Sequence, residues 1–425
     1  MKRGLHLQQA KVRRRNIYLL AAGVGLYLFA NFQRSSVPGT IFNELQTAFD
    51  TTATAVAAVG SMFMYVYALT QLAAGVLADR YGGARTMAVG CGLFCVGSLL
   101  FPVSATLRMI YLSRVLIGLG AGVIYLSLVK EVDRIFPDRF ASILGIVICL
   151  GYSGSIFGGL PLSALVRASG WRTVFLGAAV LMTVCYGVYL RFFRMIRKPA
   201  VVSEHFSLKP LLVTVSTRQS LLVILSASCS FGVYYMMLTI VGKKFLEDYC
   251  GASATLGSAC LSGMVIFSAG GNMLTGLWSS RLGNRRRVFL LAMQWISLSG
   301  AALALGGMLL GVRTAGFFIF TMVLFAVSSG FSPITNSLAR ETNPPEHTGV
   351  AVAGMNFAAY AAVAMCGHFG GVLMESFAGD GKVVLEHSVV YPASSYIAVF
   401  VLAFLMALPA LFTALPVRET NGTKC

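Results

Sequence analysis

About twelve apolar stretches, each close to the thickness of a bilayer core, limit what this chain can fold into more than any other feature. Crossing ~30 Å of hydrocarbon takes roughly 20 helical residues, and a segment in lipid must satisfy its own backbone N–H and C=O groups. On that basis the sequence predicts spans at about 16–38, 53–77, 86–104, 108–130, 140–164, 171–193, 219–242, 254–279, 287–311, 315–338, 349–376 and 393–416. A soluble alternative fails on charge. The 425 residues are 57% hydrophobic and 11% charged, with a mean hydropathy of +0.77, too little charged surface to cover so large a core. The expected fold class is an all-α membrane protein.

The net charge of +18 would suit nucleic acid, but its placement does not. Lys and Arg gather at the ends of apolar runs, 24 on the side of the N-terminus and 7 on the other, with Arg34 and Arg114 in or near the membrane. The positive-inside rule then puts both termini in the cytoplasm. The basic start (Lys11, Arg13, Arg14, Arg15) before Ile17 is similar to a signal peptide. No small-residue cleavage site follows, so it reads as an uncleaved first helix. Short loops and no credible luminal glycosylation site suggest a bacterial inner membrane. The nine Cys lack metal-ligand spacing to His, and no nucleophile or His–acid pair shares a depth. No enzyme, metal or cofactor is therefore expected. The expected partners are membrane lipid and a small molecule, not nucleic acid, and the expected state is a monomer.

GVLADRYGGARTM (Gly75 to Met87) returns as GLWSSRLGNRRRV (Gly276 to Val288), offset by 201 residues, close to half the chain. Two further echoes follow in the same order: Lys130–Glu131 with Arg340–Glu341, and Phe157–Gly158–Gly159 with Phe369–Gly370–Gly371. They predict a six-plus-six duplication. Its parts would be an N-terminal bundle at 1–193, a basic cytoplasmic linker at 194–218 and a C-terminal bundle at 219–425.

The first copy of the motif resembles the loop between helices two and three of the major facilitator superfamily of secondary transporters. The resemblance implies two pseudo-symmetric six-helix bundles and a cytoplasmic latch built on Gly75, Asp79, Arg80, Gly82 and Arg85. In that arrangement Asp79 faces the start of the eleventh helix near Gly349, and Arg80 and Arg85 reach Glu131 or Asp133. In the second copy Ser280 replaces the acid, and any pairing falls to Arg281 with Glu341. Arg114, Gly118 and Gly122 in RVLIGLGAG resemble the fourth-helix motif, the two glycines admitting a close neighbour; Arg114 is either an interfacial residue or a deeper polar hub. Gly151, Gly154, Gly158 and Gly159 resemble the fifth-helix motif of exporters, with Ser155 where that pattern has Pro.

Hydropathy leaves Arg34 open, either at the outer surface or in a central cavity. The continuation IFNELQTAF looks like the outer end of a long first helix, as in branches carrying organic phosphates and organic anions. A guanidinium at that depth needs a wet cavity or a counter-charge, and a carboxylate or phosphate supplies one through two parallel hydrogen bonds. Candidate companions are Asn31, Tyr125, Tyr152, Tyr234, Tyr235, Asn272, Asn336, Asn356 and Tyr360. Tyr235 falls near where phosphate-exchanging relatives carry a second Arg, which favours a monoanion or a zwitterion with a carboxylate. His368 and Glu375, seven apart on one face, are the candidates for proton exchange. The leading expectation is uptake or exchange of a small organic anion. Rivals are efflux of drug-like or metabolite compounds by proton antiport, and a non-transporting membrane sensor.

Overall fold

The computed structural model describes residues 2–195, 217–343, 348–385 and 388–421; most of the expected linker therefore lies outside the described residues. In chain order the helices are α1 (Lys2–Ser36), α2 (Phe42–Ala48), α3 (Ala53–Tyr81), α4 (Gly83–Val103), α5 (Leu107–Ile135), α6 (Phe140–Phe157), α7 (Leu160–Ser169) and α8 (Trp171–Arg194). They continue with α9 (Arg218–Met236), a π turn (Met237–Val241), α10 (Gly242–Asp248), α11 (Ala254–Arg281), α12 (Arg286–Leu309), α13 (Ala315–Ser329), α14 (Ser332–Glu341), α15 (Thr348–Ser376) and α16 (Ala393–Ala414). A small antiparallel hairpin, β1 (Val383–Leu385) and β2 (Ser388–Val390), precedes α16.

Among the described residues ten helices are long and apolar enough to cross a bilayer, eleven if the bent pair α6–α7 counts as one. The expected first span, α1, is outside that set; its last turns carry Asn31, Gln33, Arg34, Ser35 and Ser36. Two expectations need correction. The first helix is not long at its outer end: it stops at Ser36, and a turn through Pro38 separates it from the seven-residue α2. The fifth span, expected to run unbroken over 140–164, bends by 42° where Gly158 and Gly159 interrupt it.

Proximity along the fold divides the chain into two compact units. The first comprises Met1–Gln33, Leu69–Ser155 and Leu165–Phe206. In it α4 packs closely on α5, where a Cβ on Gly120 would fall 2.4 Å from the Gly90 carbonyl oxygen. Small residues at such crossings let backbones approach and gain dispersion contacts that larger side chains would block. The sequence motif placed such an approach at Gly118 and Gly122; Gly120 of the same helix makes this one, and the Gly122 carbonyl accepts from Gln71 Nε2 of α3 at 2.8 Å. Gly154 packs equally tightly, on the Leu28 carbonyl of α1.

The second unit comprises Arg34–Ala68, Ile156–Ala164 and Ser207–Cys425. One apolar core joins Val223, Ile224, Phe289, Leu290, Leu338 and Met355. Buried hydroxyls are tied to neighbouring helices, Ser226 to the Ala410 carbonyl and Ser328 to the Met293 carbonyl. A Cβ on Gly39 would lie 2.8 Å from the carbonyl of Thr239 in the π turn, so the chain after α1 seats directly against that turn.

Candidate functional site

Arg34 belongs to the second unit and is 4% exposed. Its Nη1 donates to the Tyr360 hydroxyl at 2.7 Å, and its guanidinium carbon lies 5.6 and 5.7 Å from the ring centroids of Tyr235 and Tyr360. Around them Tyr67 meets Tyr360 edge to face at 4.6 Å, Phe231 meets both Tyr360 and Tyr235, and Tyr234 meets Tyr235. Depth follows from the rings. Tyr67 is the fifteenth of 29 residues in α3, Tyr360 the thirteenth of 29 in α15, and Tyr235 the eighteenth of 31 in the span Arg218–Asp248. Arg34 therefore sits at mid-depth among aromatic side chains. A desolvated cation–π contact contributes up to about 2 kcal/mol, which helps offset the cost of holding the charge there.

Of the expected companions, Tyr234, Tyr235 and Tyr360 join this cluster. Asn31 falls in the first unit; its Nδ2 turns back to the Tyr27 carbonyl at 2.9 Å, and its own carbonyl accepts from Ser155 Oγ. Tyr125 stacks on Tyr27 in the same unit, which also holds the half-buried Tyr152. Asn272 accepts from Ser332 Oγ at 2.8 Å, and Asn336 and Asn356 are half-buried in the second unit.

Beyond α1 the second unit carries a polar network that sequence reading did not assemble. Lys243 Nζ donates to the Thr40 carbonyl at 2.7 Å, and Asn43 Nδ2 to Glu247 at 3.0 Å. Lys244 pairs with Asp248 at 2.8 Å, while the other Asp248 oxygen accepts from Tyr391 N and from the Tyr396 hydroxyl. Glu375 accepts from Ala53 N at the start of α3, from the Tyr391 hydroxyl, and from Lys382 at 2.6 Å. Burial and the neighbouring Glu375 carboxylate push the Tyr391 phenol far above its ordinary value, so it remains a donor at physiological pH. The available signal was the pair of i,i+4 matches, Lys243 with Glu247 and Lys244 with Asp248, at the end of an apolar run. Glu375 thus reaches Lys382, Tyr391 and Ala53, and His368, two turns earlier on the same face of α15, lies edge to face with Phe369.

At the opposite helix ends, Glu131 accepts from Ala84 N at 2.9 Å and from Arg134 Nε and Nη2. The acid expected to meet Arg80 or Arg85 is instead held by the start of α4 and by a residue one turn away on its own helix. Gly82, at φ +84°, makes the turn that presents that start. Arg80 is exposed, with its guanidinium over Tyr81. In the second unit the correction is sharper: Arg281 is exposed, and Arg286 pairs with Glu341 at 3.1 Å while donating to Ser279 Oγ. Arg286 is the +201 echo of Arg85. The Asp79 side chain and the surroundings of Gly349 lie outside what the structure describes.

Arg114 is fully buried; its Nη1 donates to the backbone carbonyl of Gln33 at 3.3 Å and to that residue's amide oxygen at 3.4 Å. Gln33 O is among the last four carbonyls of α1, which have no partner within the helix. Of the two places open to Arg114, the structure gives the deeper hub.

The family model described as Major Facilitator Superfamily matches residues 24–248. The sodium-dependent phosphate transport protein 1 of Arabidopsis thaliana chloroplasts is 33% identical over 134 residues, 31% of this chain and 26% of that protein. The multidrug resistance protein Stp of Mycobacterium tuberculosis is 27% identical over 176 residues, 40% of this chain and 32% of that protein. The matched stretches thus span about a third or less of those relatives. A bacterial homolog of the human lysosomal transporter Spinster superposes with a TM-score of 0.71 at 14% identity, covering 94% of this chain and 97% of that one, a likeness of fold alone.

Proposed function

Since the chain belongs to the major facilitator superfamily, whose model covers just over half of it, we propose that it carries a small organic anion across a bacterial cytoplasmic membrane. Two six-helix halves alternate access to one site, with both termini in the cytoplasm. The carrying observation is Arg34, a mid-depth guanidinium ringed by Tyr235 and Tyr360. Its fork matches a carboxylate or phosphate, and the phenol that accepts from it is neutral and can yield to a charged oxygen. The network joining Thr40, Asn43 and Ala53 to Lys243, Glu247 and Glu375 closes the site on its outer side, and must open in each cycle. Likeness to an anion carrier supports the reading.

Efflux of a drug-like compound is the second reading, favoured by the aromatic surroundings of Arg34 and by the likeness to Stp. Counterflow in proteoliposomes, with and without a pH gradient, separates the two. Anion exchange that Arg34→Gln abolishes, in a variant that purifies as wild type does, is the expected result. Undiminished exchange in that variant rejects the anion site, and raised drug sensitivity in a deletion strain favours efflux.

A further inference from the structure

The two copies of the repeated loop differ in the charges they expose. At positions 201 apart, Leu77 is answered by Trp278, Asp79 by Ser280 and Ala84 by Arg285. The second copy thus lacks the acid and adds an indole and a cation. Of its arginines, Arg286 is held by Glu341. Arg287 donates through Nη2 to the Leu415 carbonyl, and its backbone N–H is held by Glu419. Arg281 and Arg285 are exposed and form no ion pair among the described residues.

Their depth decides what these two guanidiniums can meet. The part of α11 apolar enough to cross a bilayer ends at Thr275. Phe267, Leu274, Trp278 and Arg281 are all exposed, and spacings of seven, four and three residues put them on one face of that helix. A face suited to lipid chains therefore runs through an interfacial Trp into a cation. Arg281 lies about 9 Å past Thr275 along the helix. That is the level of the headgroup layer, which extends about 5–8 Å beyond the hydrocarbon. Arg285 follows across a tight turn, closed by bonds from Leu282 N to the Trp278 carbonyl and from Asn284 N to the Ser279 carbonyl. Leu282 and Val288, exposed beside the two cations, offer carbon to acyl chains.

We infer that this turn binds the headgroup of an anionic phospholipid. Arg281 and Arg285 meet the phosphate, and Trp278 packs at the boundary between headgroup and chains. A zwitterionic headgroup brings a cation of its own, which the paired arginines repel. The inference rests on the membrane-spanning fold and is independent of the cargo and of Arg34.

The test is native mass spectrometry of the full chain in detergent, titrated with phosphatidylglycerol or with phosphatidylcholine of the same acyl chains. A basic residue near anionic lipid is worth about fivefold in affinity, so phosphatidylglycerol should bind at least about tenfold more tightly. Arg281→Gln with Arg285→Gln should bring the two lipids to within about threefold, with size-exclusion behaviour unchanged. Ser280→Asp, which restores the acid of the first copy, should lower the preference by about fivefold. Arg313, exposed beyond the other end of α12 with its guanidinium over Tyr249, is the control: Arg313→Gln should leave the preference within about twofold. Glycerol 3-phosphate should not displace the lipid. Equal binding of the two lipids, a preference that survives the double variant, or its loss in Arg313→Gln overturns the inference. Displacement by glycerol 3-phosphate at the concentration of the lipid overturns it as well, in favour of a soluble phosphate. Arg34→Gln should leave the lipid preference as in wild type, so failure of the anion-carrier reading is read separately.

Discussion

Arg34 and Arg114 are both arginines buried in an apolar chain, yet their surroundings differ in kind. Arg114 is closed in the first unit, bonded to a backbone carbonyl and an amide oxygen of Gln33. Those acceptors are fixed parts of the end of α1, and a cation there also meets the negative end of the helix dipole. Arg34, the very next residue after Gln33, meets a phenol and two ring faces in the second unit. A phenol is a weaker acceptor than an ionised oxygen and moves with one rotamer. One arginine therefore holds a helix end, and the other bonds a neutral hydroxyl among aromatic rings.

The largest expected effect breaks that comparison if it fails. Arg114→Leu leaves the Gln33 carbonyl and amide buried without their donor, at about 1–3 kcal/mol for each unsatisfied group. It should lose most of the monodisperse protein recovered after detergent extraction. Arg34→Gln should keep that yield and lose exchange. Equal loss of folded protein in both variants would make Arg34 a structural residue.

Arg34→Lys sharpens the same contrast. The charge stays but the planar fork is lost, so affinity for a carboxylate should fall by about tenfold or more, with the folded yield unchanged. Arg114→Lys should lower thermal stability instead, because an ammonium of shorter reach cannot span both oxygens of Gln33. Wild-type affinity in Arg34→Lys would mean that the site reads charge alone.

A smaller effect is expected in the outer network. Glu375→Gln removes the ion pair with Lys382 and weakens the acceptor at the start of α3. The pair is about a quarter exposed, which limits its direct contribution to roughly 1 kcal/mol or less. The expected readout is a faster reaction of a cysteine placed at Thr51 with an impermeant reagent, with affinity for substrate held within about twofold. An unchanged labelling rate would mean that this network does not govern outer access.

The sequence made some of this legible. Apolar length and the requirement to bond the backbone internally located the spans, and the 201-residue echo located Arg286 as well as Arg85. Arg34, Tyr235 and Tyr360 all stand out in the sequence, since an Arg in an apolar helix and Tyr at mid-span are each costly enough to mark a site. The missed features are those in which a polar side chain chooses between equivalent neighbours. Asn31 lies one turn before Arg34, yet its amide bonds back to the Tyr27 carbonyl. Gln33, the partner of Arg114, looks from sequence like any interfacial amide. The end of α1 at Ser36 was missed because the amphipathic run through Ala48 fits one long helix as well as two short pieces. Lys244 reads from sequence as one of the seven charges on the side opposite the N-terminus, and packing buries it there against Asp248.

The smallest effect concerns the two acids at the opposite helix ends, where the duplicated halves have diverged. Glu131 caps α4 through Ala84 N and holds Arg134, whose side chain is 37% exposed. Glu341 holds the more enclosed Arg286 and accepts from Thr420 Oγ1. Glu131→Gln keeps an acceptor for Ala84 N but turns an amide NH2 to the partly exposed Arg134 and loses that pair, so it should cost about 1 kcal/mol, less in high salt. Glu341→Gln should cost more and respond less to salt, because its pair is less hydrated. Thermal unfolding of the two variants at low and high ionic strength measures both differences. An equal salt response would mean that both pairs are solvated alike, and that the exchange of an intrahelical partner for Arg286 left no energetic trace.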